Sequence, residues 1–167
     1  HKCILRKLFG KEASCIVNIG GVSNISYVNE DIMTGFDVGP GCGLMDEFVK
    51  KNYGKDFDSN GDLASNGLPS QKIVNNFLKN PFFKKIPPKS IDKFEFQKIF
   101  DTKDFIDLSI IDGIATLCSM TAASINMALQ QLTPKPKFVL VAGGGRHNNH
   151  LLNLIQNKTD LRISKID

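Results

Sequence analysis

The sequence predicts an α/β domain in which helices flank a mixed sheet. Between Ala13 and Val38, three segments rich in β-branched residues follow one another with short connections, which is typical of an antiparallel meander. A helical repeat of apolar residues then begins at Ser109. It is followed by the near-continuous apolar run of residues 138–141, which is typical of a buried parallel strand.

Length and composition indicate one globular domain. The 167 residues are 41% hydrophobic and 23% charged, and the net charge of +4 is too small and diffuse to favour nucleic acid as a partner. No apolar run approaches the roughly 20 residues that span a bilayer, and no signal peptide is evident, so we expect a cytoplasmic protein without a membrane partner. The chain begins at His1 and ends at Asp167 directly after a predicted strand, which indicates a fragment. The four cysteines lack a paired spacing, so we expect free thiols and neither a zinc site nor disulfides.

The three strands of the meander are predicted over residues 14–19, 25–28 and 32–38, and the turn signal Asn29-Glu30-Asp31 separates the last two. The loop NIGGVSN at residues 18–24 connects the first two strands. Its successive backbone amides can form an anion-binding concavity, and Asn18 and Asn24 can add neutral hydrogen bonds. An ordinary hairpin turn is the alternative.

The stretch GFDVGPGCGLMD at residues 35–46 places Asp37 at the end of an apolar run, follows it with a glycine-rich turn stiffened by Pro40, and then begins a helix. A carboxylate held before such a loop can act as a general base, because the scaffold fixes its position and a ligand can reach it. The alternative is a tight strand-to-helix turn with an incidental aspartate. Apolar residues at helical spacing, with Asp46 in the first turn, predict the helix that follows.

The middle of the chain is predicted to be mostly irregular. The acidic loop that starts at Asp58 resembles a calcium loop only superficially, because its twelfth position is Pro69 and not glutamate, so we favour a solvated loop. A short helix is predicted over residues 71–78. Prolines break residues 80–90, where Phe82 and Phe83 stand among lysines; these rings could line a sugar or base site, but we favour their anchoring in the core.

The last third of the chain predicts a strand, a glycine turn and a helix. Ser109 matches a capping pattern for the long helix, and Gly143-Gly144-Gly145 follows the apolar strand, with a helix start near Asn148 and a last strand at residues 161–166. Ligands bind beyond the carboxyl ends of strands in α/β sheets, so the glycines can seat a nucleotide, although neither the Walker nor the dinucleotide spacing is present. A packing turn is the alternative. His147 and His150 share a helical face, but two nitrogens without a third ligand make a poor metal site, and we expect none.

These motifs together resemble the anhydro-N-acetylmuramic acid kinase family, within the actin-like superfamily of ATPases and sugar kinases. The resemblance covers nearly the whole chain. It is carried by the motifs NIGGVSN at 18–24, GFDVGPG at 35–41, LMD at 44–46, the loop at 58–67, PFF at 81–83, PPKS at 87–90 and GGGR at 143–146.

The resemblance implies an RNase H-like (actin-like ATPase) lobe over residues 1–167, the second lobe of a two-lobe kinase, with an insertion at 53–105. It also implies ATP and Mg²⁺ as cofactors, a 1,6-anhydro amino sugar as substrate, a role in cell-wall recycling, and a homodimer. Asp37 would be the base that activates water for attack at the anomeric carbon. The nucleotide contacts would be Asn18, Gly20, Gly21, Ser23, Asn24, Gly143, Gly144 and Gly145. The sugar contacts would be Gly39, Pro40, Gly41, Lys89 and Ser90.

Two departures and two missing segments bear on activity. The family has threonine at the position of Val38 and asparagine at that of Cys42, so two polar contacts beside the base are lost. The family's first phosphate loop would precede His1 and its final helix would follow Asp167, so we expect negligible turnover from this chain alone. The alternatives are a truncated relic that binds nucleotide or sugar without catalysis, and a nuclease, against which Asn18 counts because a nuclease needs a carboxylate there.

Overall fold

The computed structural model describes residues 2–30, 32–92 and 94–166. Its centre is a five-stranded mixed sheet. The strands are β1 (Ser14–Ile19), β2 (Val22–Asn29), β3 (Ile32–Pro40), β4 (Phe138–Ala142) and β5 (Ile163–Lys165). They lie in the order β3-β2-β1-β4-β5. β1 pairs antiparallel with β2 and parallel with β4, β2 pairs antiparallel with β3, and β4 pairs parallel with β5. The predicted α/β class with a mixed sheet is confirmed.

The helices differ from the sequence prediction mainly at the start of the chain, where the helix Lys2–Phe9 was not anticipated. Side-chain caps fix the starts of three of the helices: backbone N–H groups donate from Ile73 to Ser70 Oγ at 3.5 Å, from Asp112 to Ser109 Oγ at 3.2 Å, and from Leu151 to Asn148 Oδ1 at 2.9 Å. Short 3₁₀ turns are scattered through residues 59–101. The helices are α1 (Lys2–Phe9), α2 (Gly43–Tyr53), α3 (Gln71–Phe77), α4 (Lys103–Ile106), α5 (Ile110–Gln131) and α6 (Asn149–Gln156).

The strands of the meander are longer than predicted at the end near the glycine turn. β2 begins at Val22 because the connection from β1 uses only Gly20 and Gly21, and β3 continues to Pro40, which pairs with Val22. A β-bulge interrupts this ladder: Asn24 pairs with Asp37 and Ser23 pairs with Gly39, so β3 carries one extra residue, Val38. Asp31, in the predicted turn signal, lies outside the described residues.

The two faces of the sheet are covered unequally. On one face, apolar residues of all three meander strands join α2, α5 and α6 in the main core. On the other face, α1 covers a small cluster of Leu5, Ile16, Val28 and Leu140. Helix α1 therefore covers a part of this second face and leaves room beside it for a site.

Helix α5 is the central element of the main core. Its length and apolar composition would allow it to cross a membrane, but most of its residues are buried within the protein, as in the core helix of a soluble domain. Thr121 on this helix donates through Oγ1 to the Gly41 carbonyl oxygen at 2.7 Å. The helix thus also fixes the turn that precedes α2.

The phenylalanines of the proline-rich segment lie in the core. Phe82 is 1% exposed and Phe83 3%, and both rings contact Phe96, with centroids 6.1 and 5.8 Å away. The interpretation that they anchor this segment is confirmed.

Candidate functional site

A polar row crosses the open part of the sheet. Asn18 of β1 lies directly opposite Asn24 of β2, and Asn24 lies directly opposite Asp37 of β3. Side chains opposite one another in a ladder share a face. Ile16, two residues before Asn18, and Val28, four residues after Asn24, belong to the cluster under α1. Even spacing along a strand keeps side chains on one face, so the row lies on the α1 side of the sheet, just beyond the helix.

Two hydrogen bonds hold Asp37 against the segment that follows the cluster of phenylalanines. The Asp37 N–H donates to the Lys89 carbonyl oxygen at 2.9 Å, and the Ile91 N–H donates to Asp37 Oδ2 at 2.9 Å. Within the described residues, Oδ1 makes no hydrogen bond. The carboxylate is therefore fixed through one oxygen and available through the other.

This carboxylate lines a cavity of about 450 Å³, the Asp37 cavity. Lys89 and Ser90, which no local pattern explains, lie beside Asp37 because the backbone of residues 88–91 runs along β3. The Lys89 ammonium donates to the Phe82 carbonyl oxygen at 3.3 Å and lies 4.7 Å from the centroid of the Phe82 ring. Burial, and then the positive charge of Lys85, lower the pKa of Lys89. The cavity is lined by Asn24, Ile25, Ser26, Gly35, Phe36, Asp37, Pro88, Lys89 and Ser90.

The three predicted sugar contacts at the end of β3 are buried. A Cβ on Gly39, whose φ is +151°, would lie 2.6 Å from Ser124 Oγ, and one on Gly41 would collide with the Gly20 carbonyl oxygen. Close packing thus explains both glycines, and their contact with sugar remains a prediction. Pro40 lines a smaller cavity of about 280 Å³ beside Gly21, Ile91 and Phe96.

The turn Gly20–Gly21 carries the start of α2. Its carbonyl oxygens accept hydrogen bonds from Gly41 (3.0 Å), Cys42 (2.7 Å) and Gly43 (3.2 Å). Ser23 is fully buried. Its side chain points to the opposite face from that of Asn24, because neighbouring residues in a strand alternate between faces. Its Oγ has no hydrogen-bond partner in the part of the chain that the structure describes. Its predicted contact with phosphate remains untested.

The glycines after β4 lie against the end of β1. Gly143 has φ +81°, and a Cβ there would lie 2.8 Å from Asn18 Oδ1, while one on Gly145 would collide with the Ile19 side chain. Gly144 is exposed and has open space around it. The structure therefore brings together the two glycine motifs that the sequence separates by more than a hundred residues.

Together the two glycine turns border a cavity of about 540 Å³ on the side of α2 and α6, the glycine cavity. The sequence analysis identified the two glycine turns but not this cavity, because the segment after α2 forms its opposite wall. The lining residues are Ile19, Gly20, Gly21, Cys42, Met45, Asp46, Phe57, Asp58, Ser59, Asn60, Gly144, Gly145, His147 and Asn148.

Two carboxylates in the glycine cavity have different surroundings. Asp58 is 4% exposed, and its oxygens accept hydrogen bonds from the N–H groups of Leu63 (2.8 Å) and Ala64 (2.9 Å). Asp58 is thus a buried structural residue, and the expectation that this loop is merely solvated is wrong at this position. Burial, and then the charge of Asp58, raise the pKa of Asp46 to about 6.

Neither the thiols nor the histidines here make a reactive or metal centre. Burial raises the pKa of Cys42 to about 12, so its thiol is neutral, and the described cysteines are unpaired. His147 borders the glycine cavity, whereas His150 packs under Gly61. Among the described residues, no three His, Cys, Asp or Glu side chains converge as metal ligands.

The family model and the curated relatives that match this chain all carry the same family name. A family model described as anhydro-N-acetylmuramic acid kinase matches residues 1–164. Proteins of that name are 36% identical in Nitrobacter winogradskyi (95% of this chain, 42% of the relative), 33% in Zymomonas mobilis (91% and 41%) and 31% in a Ruegeria species (100% and 46%). The chain thus spans less than half the length of these curated relatives.

Solved structures show the fold alone. The activator of 2-hydroxyisocaproyl-CoA dehydratase from Clostridium difficile, with bound ADPNP, superposes with a TM-score of 0.56 at 13% identity, over 98% of this chain and 57% of that one. Component A of (R)-2-hydroxyglutaryl-CoA dehydratase from Acidaminococcus fermentans gives 0.53 at 15% identity, over 91% and 54%. Both likenesses cover nearly the whole chain, so they show that its overall fold is shared with these two proteins.

Proposed function

The chain belongs to the anhydro-N-acetylmuramic acid kinase family, and from this premise we propose that it forms the second lobe of a kinase. The enzyme would convert 1,6-anhydro-N-acetylmuramic acid, ATP and water to N-acetylmuramic acid 6-phosphate and ADP, in the cytoplasm, as a step in cell-wall recycling. Residues 53–105 would be an insertion in this lobe, and the enzyme would be a homodimer. The observation that carries the proposal is Asp37, held through Oδ2 with Oδ1 free beside a cavity.

In this reaction Asp37 would act as the general base. Its Oδ1 would take a proton from a water molecule, whose oxygen forms a bond to the anomeric carbon as the bond from that carbon to O6 breaks. O6 would then form its bond to the γ-phosphorus of ATP, and ADP would leave. The hydrogen bonds to Lys89 and Ile91 support this role because they fix the carboxylate before substrate arrives.

The nucleotide would lie along the two glycine turns. Exposed Gly21 and Gly144 leave room for phosphate oxygens to approach the backbone, and the amides of Asn18 and Asn24 would contact the transferred group from the polar row. Mg²⁺ usually binds through substrate phosphates with few protein ligands, which fits a chain that offers amide oxygens here. When bound, it would neutralise charge on the phosphates.

Because the relatives are more than twice as long, we expect negligible turnover from the 167 residues alone. The test therefore uses the full-length protein that contains this segment. Asp37→Asn should lower turnover by about a hundred- to ten-thousand-fold, because a positioned base contributes that factor, while the affinity for ATP changes little.

Asp56→Asn is the matched control, since Asp56 is exposed and forms an ion pair with the exposed Lys50 at 3.1 Å. It should keep wild-type turnover. If Asp37→Asn retains turnover within a few-fold of wild type, Asp37 is not the base. Nucleotide binding without turnover in the full-length wild type would instead favour the non-catalytic relic.

A further inference from the structure

We propose that Asp46 recognises the ribose of the bound nucleotide by accepting hydrogen bonds from its vicinal hydroxyl groups in the glycine cavity. The proposal rests on the proposed function, because it assumes that a nucleotide binds along the glycine turns. It assigns a residue outside the polar row to substrate recognition.

The position of Asp46 matches that of a ribose. Helix α2 is seated on the Gly20–Gly21 turn, and Asp46, whose N–H donates to the Cys42 carbonyl oxygen at 2.8 Å, lies one helical turn, about 5 Å, further along. Side chains of a helix lean toward its N-terminus, so the carboxylate leans back toward the turn. In a nucleotide whose phosphates lie on the two glycine turns, the ribose is the next group along, and it would lie inside the glycine cavity beside Asp46.

The charges of the cavity define which end of a nucleotide enters it. Asp46 and Asp58 are its carboxylates, and neither lysine nor arginine is among its described lining residues. Phosphate is therefore disfavoured inside, and a neutral group that donates hydrogen bonds is favoured. Phosphates would remain at the glycine turns, which are the open, uncharged edge of the cavity.

Asp46 has unused capacity to accept such bonds. Asp58 is satisfied by Leu63 and Ala64, whereas Asp46 is half-buried and accepts no hydrogen bond through its carboxylate in the described part of the chain. Burial beside Asp58 disfavours its charge, and two donors would stabilise it. A vicinal diol supplies two donors, and a carboxylate that binds ribose hydroxyls is an established arrangement in nucleotide sites.

An independent observation on α6 points to a ligand in the same cavity. Asn148 is 5% exposed and lines the glycine cavity. Its Oδ1 caps α6, but its buried Nδ2 has no hydrogen-bond partner in the part of the chain that the structure describes. Buried donors without partners are uncommon in proteins, so a nucleoside acceptor, such as the ring oxygen of the ribose, would complete this group.

The test is a titration of the full-length protein with ADP and 2′-deoxy-ADP by calorimetry. Wild type should bind 2′-deoxy-ADP about ten- to a hundred-fold more weakly than ADP, as expected for loss of a hydrogen bond to a charged acceptor. Asp46→Asn should bind ADP more weakly and lose most of this discrimination. Asp56→Asn, which changes an exposed aspartate that follows α2 and does not line the cavity, should retain wild-type values.

A second variant tests the cavity independently. Asn148→Asp keeps an oxygen to cap α6 but removes the Nδ2 donor, and it should weaken ADP binding by about tenfold. Equal affinity of wild type for both nucleotides, or undiminished discrimination in Asp46→Asn, overturns the proposal and leaves the kinase assignment intact. Failure of wild type to bind any adenine nucleotide overturns both.

Discussion

The Asp37 cavity and the glycine cavity lie near the same end of the sheet but are built differently. The first is organised by strand register, which places Asn18, Asn24 and Asp37 in one row. The second is assembled from turns, the start of α2 and the loop around Asp58. Strand register alone therefore brings the three polar side chains together, whereas the second cavity exists only because separate loops pack against one another.

The largest expected effect on stability comes from the contact that joins the two regions. Gly41→Ala would push a Cβ into the Gly20 carbonyl oxygen, and backbone cannot easily move away, so we expect a loss of about 3 kcal/mol in the free energy of unfolding. Gly21→Ala is the control, because its Cβ would meet nothing within 4 Å. Urea denaturation, monitored by circular dichroism, measures the free energy of unfolding of both variants. Equal stability of the two variants would mean that α2 is not held by this turn.

A change confined to the glycine cavity should have a smaller effect. Asp58→Asn replaces one of two oxygens that accept backbone hydrogen bonds by a donor, which we expect to cost about 2 kcal/mol. Asp62→Asn is its exposed counterpart in the same loop and should change stability by less than about 0.5 kcal/mol. Thermal unfolding would reveal the difference, and a harmless Asp58→Asn would show that this wall does not depend on its carboxylate.

The smallest effect is the pH dependence that Asp46 imposes. Its pKa rises from 3.8 to about 6 on folding, so the folded state binds the proton more tightly, and the contribution of Asp46 to stability falls as pH increases between these values. Because Asp46 is partly exposed to solvent, we expect this change in the free energy of unfolding to be only about 1 kcal/mol. Asp46→Asn should therefore be more stable than wild type at pH 7, and the difference should vanish near pH 4.

The comparison with Asp46→Asn measures the Asp46 carboxyl group in its surroundings. Asp58, Cys42 and His147 also face the cavity, so the difference between the two proteins includes the coupling of the Asp46 charge to Asp58 and Cys42. Unfolding measured in urea from pH 4 to pH 7.5 gives the two curves. Parallel curves would show that the Asp46 carboxyl group is solvated and not held beside Asp58.

The parts of the molecule that the sequence predicts well are those determined by short periodic patterns. The three-strand meander, the cap of α5 at Ser109 and the strand before Gly143 follow from local residues, and all are present. The motifs also identified Asn18, Asn24 and Asp37 as candidates, but only the register shows that they share a row.

What the sequence did not predict depends on contacts between distant segments. The extension of β3 to Pro40 needs Val22 as its partner, and Lys89 reaches Asp37 because an irregular segment runs along β3. Asp46 attracts attention only once the loop around Asp58 closes over it. Such long-range packing leaves no periodic signal in the chain.

The bulge at Val38 has a consequence for how this segment can change during evolution. Removing one residue from β2 or β3 beside the row would turn Asn24 or Asp37 to the opposite face, because strand side chains alternate. A single insertion or deletion beside the row would therefore separate its members. The exposed stretch at 54–57 carries no such constraint, so differences in length among homologous chains should concentrate there.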